Sequence, residues 1–280
     1  KEHSDIQFSF TAQDFYNLFN AGFVVLLNVP YYLTFISQDD RAHLTENYGN
    51  KIPPIEEASC GYPSSPLYTR ITSNLSLLIA NGHCGAMELI PMPYLDEQLA
   101  PILRVRRIQM ILPFLKSIPK ILSTCSHRTI LTRLLIVMTI LGKRGLLDLL
   151  EMRRTVGSLD EFPLSREEIF NLADQPYCPK EKLTVVGRAL AKHCVRDSSQ
   201  SWWGRCTGPD SKKNELGRVV LQRIIDEAVW LNIHGLSGEI PMLEVRVARG
   251  YGMRCRLKPP SFRGFLEPQQ PEGWTNKFRH

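Results

Sequence analysis

The sequence lacks the short motifs that would name a chemistry. It has no GxxxxGK[ST] phosphate loop, no HExxH pair, no GxSxG elbow and no EF-hand loop. Gly250-Tyr251-Gly252 falls short of a dinucleotide fingerprint, because Cys255 stands where the third glycine belongs. The cofactor is therefore unknown at this level. No CxxC pair occurs among the seven cysteines, whose spacing is scattered, so neither a disulfide framework nor a metal set is expected. Such cysteine usage fits an intracellular protein, with cytoplasm, nucleus and organelle left open. The one glycosylation sequon, Asn74-Leu75-Ser76, is read as a chance match.

Long apolar runs are missing too. Phe15 to Gln38 carries no charge, but Asn17, Asn20, Gly22, Asn28 and Pro30 interrupt it. A spanning helix wants about 20 mostly apolar residues, so no transmembrane span is expected. Acidic residues are absent from one long block. Between Gln98 and Leu147 there is no Asp or Glu, whereas nine cations occur: Arg104, Arg106, Arg107, Lys116, Lys120, Arg128, Arg133, Lys143 and Arg144. A block of this kind can neutralise phosphates or lie on an anionic membrane surface. It can equally be solvated or pair with acids outside it, such as Asp148. Phe114 is its one aromatic residue, which leaves little for base stacking.

What remains is an ordinary globular composition, 43% hydrophobic and 22% charged, in 280 residues with net charge +6. That length suits one continuous domain or two modest ones. The linker-like stretch Gly157 to Pro163 suggests a helix-rich region 1–156 and an α+β region 164–280. Capping boxes at Thr11/Asp14 and Ser165/Glu168 mark helix starts. The first helix is expected to stop at Gly22, with buried strands at Phe23–Leu27 and Tyr31–Ile36. Later helices are expected from Pro66 to Asn81 and, the longest, from Ser211 to Ile233. The fold class expected is α+β, predominantly helical, with a small antiparallel sheet formed mainly by the C-terminal region.

The most informative stretch is Leu243 to Lys258. Leu243, Val245 and Val247, then Tyr251, Met253, Cys255 and Leu257, occupy odd positions, and even positions carry Glu244, Arg246, Arg254, Arg256 and Lys258. Period-two alternation assigns these sets to opposite faces of a hairpin. A loop of Arg249, Gly250 and Tyr251 would place Arg246 opposite Arg254, a repulsive pair that calls for a negative partner. With Arg256 and Arg263 these arginines form a candidate anion site, joined by Lys212 and Lys213 at the start of the long helix. His193, near the Trp202-Trp203 loop, is the candidate acid or base.

The function expected is a non-catalytic binding or assembly protein engaging nucleic acid or an acidic protein partner. The alternative is an enzyme acting on a small phosphorylated or carboxylated substrate held by the C-terminal arginines.

Overall fold

The computed structural model describes residues 10–46, 49, 52–56, 61–124, 127–196, 202–236 and 240–269. The chain is α+β, mostly helical, with one four-stranded antiparallel sheet near its C-terminus. It divides into two compact units. One comprises residues 1–58, 65–88 and 101–150, and the other 59–64, 89–100 and 151–280.

The first unit is helical. Helix α1 (Ala12–Asn28) begins at the Thr11 box, where Thr11 Oγ1 accepts from the Asp14 amide at 3.2 Å and Asp14 Oδ2 accepts from the Thr11 amide at 2.8 Å. It does not stop at Gly22. A Cβ there would lie 2.8 Å from Leu134 Cδ2, so glycine serves close packing inside a continuous helix. The two expected N-terminal strands are accordingly absent: Phe23–Leu27 is helix and Tyr31–Ile36 is a series of turns. Burial of Phe15, Phe19, Phe23, Leu26 and Leu27 along one helical stripe prevails over local β preference.

Helix α2 (Gln38–Thr45) follows, then α3 (Tyr68–Asn81), capped by Gly82 at φ 78°. Asn74 of α3 donates to the Leu149 carbonyl at 2.8 Å, so the sequon lies within the core packing. Helices α4 (Ala100–Lys116), α5 (Ile118–Thr124) and α6 (His127–Leu149, kinked at Gly142) carry the acid-free block. Much of its charge is answered by two acids. Buried Asp148 takes Arg144 at 2.9 Å, Arg104 at 3.9 Å and Arg107, while Lys143 meets Asp40 at 3.0 Å. Among the described residues no helix is long and apolar enough to cross a membrane.

The second unit opens with α7 (Arg166–Ala173), whose reciprocal box joins Ser165 Oγ to the Glu168 amide (3.1 Å) and Glu168 Oε2 to the Ser165 amide (2.8 Å). Leu164 and Ile169 are buried around it as a staple. Ser165→Ala should cost about 1 kcal/mol of stability; an unchanged urea midpoint would contradict that assignment. Helices α8 (Val185–Arg196) and α9 (Asp210–Asp226) pack together.

The expected long helix ends early. Residues Ala228–Leu236 form strand β1 instead. Ala228, Trp230, Leu231, Asn232 and Ile233 are all buried. A strand buried on both faces reads as a continuous apolar run, which periodicity cannot tell from a helix. Strands β2 (Ile240–Val247), β3 (Gly252–Leu257) and β4 (Pro260–Leu266) complete a meander in the order β1-β2-β3-β4. Residues 153–159 line the edge of β1, with Arg153 N bonded to Leu231 O (2.6 Å) and Leu159 N to Ile233 O (2.8 Å).

Candidate active site

The hairpin alternation positions the site. Leu243, Val245, Met253, Cys255, Phe262 and Phe265 are buried on the sheet face that α7, α8 and α9 cover. Burial pushes the Cys255 thiol far up, which keeps it protonated and unreactive. The even positions share the opposite, polar face.

The expected register needs correction. Val247 N donates to Tyr251 O at 2.9 Å and Gly250 N to Val247 O at 2.8 Å, so the loop is Ala248-Arg249-Gly250. Gly250 (φ 89°) then occupies the last loop position, which a three-residue turn requires to be left-handed. The shift by one residue on each strand preserves both faces but changes the partners. Glu244, not Arg246, stands opposite Arg254, and Arg246 stands opposite Gly252. A Cβ on Gly252 would approach Arg246 Cγ to 2.9 Å, so glycine leaves room for the arginine.

Glu244 is thus the negative partner. Its Oε1 accepts from Arg246 Nε at 2.6 Å and its Oε2 from Arg254 Nε at 2.7 Å. Burial opposes ionisation of Glu244, but Arg246 and Arg254 outweigh it, and the carboxyl titrates below its ordinary range. Arg246 is almost wholly buried and Arg254 is 22% exposed. The terminal nitrogens of Arg254 have no partner among the described residues, and Glu244 holds the side chain through Nε alone.

Strand β1 contributes the rest of the polar face. Asn232 pairs with Glu244 and His234 with Met242. Asn232 is held by Ser158 Oγ at 2.9 Å and Thr155 Oγ1 at 3.1 Å. His234 Nε2 lies 3.8 Å from Glu244 Oε2. That is too long for a hydrogen bond, yet the carboxylate favours the tautomer with its proton on Nε2, leaving the Nδ1 lone pair available. Burial lowers the His234 pKa; Glu244 raises it, and Arg254 and Arg246 lower it, leaving it below 6.5. A neutral imidazole beside an oriented guanidinium is suited to removing a proton next to a phosphate.

The sequence assigned no role to this face of β1. Residues 171–267 match the family model for the CdiA C-terminal tRNase toxin domain. The match covers about a third of the chain, from the last turn of α7 to the residue after β4, and contains His234, Glu244, Arg246 and Arg254. No curated protein and no solved structure matches the chain.

A match to a tRNase toxin domain indicates enzymatic action on nucleic acid. It overturns the expectation of a non-catalytic binding or assembly protein. A nucleic-acid partner accords with it.

The other candidate residues are dispersed. His193 Nδ1 meets Glu267 Oε1 at 2.6 Å, and its ring lies 4.6 Å from Trp203 and 6.2 Å from Phe265. It therefore packs on the covered side and does not join Arg254. Lys212 pairs with Glu215 (2.9 Å) and Lys213 with Asp210 (3.3 Å), each within its own helix. Arg256 Nε donates to Pro259 O at 3.0 Å, and Arg263 is exposed. His234, Asn232, Ser158 and Thr155 are the residues that sequence reading missed. The signal available was the β-forming Val229-Trp230 and Ile233 around Asn232, followed by Gly235.

Proposed function

We propose that the sheet unit cleaves tRNA, with the polar face of β1–β3 as its active site. The observation that carries this reading is the coincidence of the tRNase match with a shielded His–Glu–Arg cluster inside the matched residues. The proposed step is a transesterification. His234 Nδ1 takes the proton of a ribose 2′-hydroxyl, and O2′ attacks the adjacent phosphorus. The P–O5′ bond breaks, and the departing O5′ takes a proton from water. The products end in a 2′,3′-cyclic phosphate and a 5′-hydroxyl.

Arg254 pairs with the charge that builds on the phosphoryl oxygens, because its fork matches a phosphate and its terminal nitrogens have no partner among the described residues. Glu244 positions both groups, through a hydrogen bond to Arg254 and a field on the imidazole. Asn232, fixed by Ser158 and Thr155, borders the same row. Such a substrate places the site of action in the cytoplasm of the cell whose tRNA is cut.

The pH dependence tests this assignment. Cleavage needs neutral His234, so kcat/KM should rise with pH through the imidazole pKa. The acidic limb should fall below pH 6.5, because burial lowers that pKa. A limb at or above that value would count against His234 as the base.

A further inference from the structure

The β2–β3 loop borders a cavity of about 160 Å³ that is partly open to solvent. Its walls include Met92, Tyr94, Arg246, Arg249, Gly250 and Pro268. An engineered cavity of roughly 150 Å³ accepts one benzene ring, so this one has room for a planar ring.

Three features of its wall point to a ligand. Arg246 is almost wholly buried; its Nε serves Glu244, and its Nη1 serves the Glu267 carbonyl (3.0 Å) and the Gly250 carbonyl. Its Nη2 has no partner among the described residues, and the side chain forms part of the cavity wall. That nitrogen keeps contact with solvent, and a ligand acceptor in the cavity would take the place of water on it. Tyr94 is 62% exposed and sits at φ 62°, a left-handed conformation that bulky residues rarely adopt. Strain of this kind is held in place by surrounding structure and gathers at ligand sites. The loop itself is braced: the Arg249 guanidinium lies 5.8 Å from the Tyr251 ring, which stacks on Trp202 at 4.3 Å.

We infer that this cavity is a nucleobase subsite for the RNA substrate, an inference that rests on the tRNA-cleaving reading. A base turned out of the strand stacks on Tyr94 and accepts a hydrogen bond from Arg246 Nη2. Arg249 meets the neighbouring phosphate. Arg246 links this subsite to the reaction centre, since Glu244 holds Arg246 with one oxygen and Arg254 with the other. The base so bound lies beside the nucleotide at which the chain is cut.

The test is direct binding of the four 3′-nucleoside monophosphates and ribose 5-phosphate to the full chain by titration calorimetry. At least one nucleotide should bind more tightly than ribose 5-phosphate. Tyr94→Ala should weaken that nucleotide about tenfold, the scale of one base–aromatic stack, and leave ribose 5-phosphate unchanged; Tyr94→Phe should retain the affinity. Equal binding of nucleotides and ribose 5-phosphate, or nucleotide affinity indifferent to Tyr94→Ala, overturns the subsite. Because binding is read without turnover, the two readings separate. A chain that cuts tRNA but fails this titration loses the subsite and keeps the activity. A chain that passes it and cuts nothing keeps the subsite and loses the activity.

Discussion

His234→Gln should lower the rate of tRNA cleavage by about 10²–10⁴-fold, the usual contribution of a positioned general base. The loss should fall on kcat, because the imidazole acts on the proton and not on the phosphate that anchors the substrate. Folding should be little affected. His234 lies near the described end of β1, is part-exposed, and at 3.8 Å from Glu244 makes no hydrogen bond to it. A variant that keeps its unfolding midpoint and its rate would remove His234 from the chemistry. By contrast, His193→Gln should leave kcat near wild type, since that ring is clamped by Glu267 and Trp203 on the covered side of the sheet.

Glu244→Ala should destabilise the chain by about 3–5 kcal/mol, the cost of leaving a buried charge uncompensated. Arg246 is the reason: its guanidinium is buried, and Glu244 is its one carboxylate partner among the described ion pairs. The loss should follow pH in a defined direction. Arg246 and Arg254 overcome burial to hold the Glu244 pKa below its ordinary 4.5. The stability this adds is complete above 4.5 and is lost as pH falls through the lower folded value. Wild type and Glu244→Ala should therefore differ most above pH 5 in urea unfolding and converge toward acid. A gap that widens on acidification would contradict the assignment of Glu244 as the ionised centre of the cluster.

Features governed by neighbours in sequence were legible, and those governed by distant strands were not. The Thr11 and Ser165 boxes are local hydrogen-bond devices, and they occur where residue spacing put them. The two faces of the β2–β3 hairpin were also legible, because period-two alternation survives a shift of one residue on each strand. The cross-strand partners did not survive it, and the left-handed requirement at Gly250 decided them. Gly22 was read as a helix stop because the approach of Leu134, distant in sequence, is invisible locally. The site suffered most from β1. With the long helix read as far as Ile233, Asn232 and His234 could not be placed beside Glu244, and the charged face of the hairpin lacked its histidine. With β1 in register, an arginine pair seeking an anion becomes a histidine, a glutamate and an arginine in adjoining rows.

The central claim is that this face cuts RNA by intramolecular attack of a 2′-hydroxyl. The most direct measurement is to incubate the purified full chain with bulk tRNA and determine the chemistry of the fragment ends by mass spectrometry. Discrete fragments ending in 2′,3′-cyclic phosphate and 5′-hydroxyl, produced by wild type and lost in His234→Gln, are the result predicted. Intact tRNA, fragments ending in 5′-phosphate, or identical cleavage by His234→Gln would contradict it.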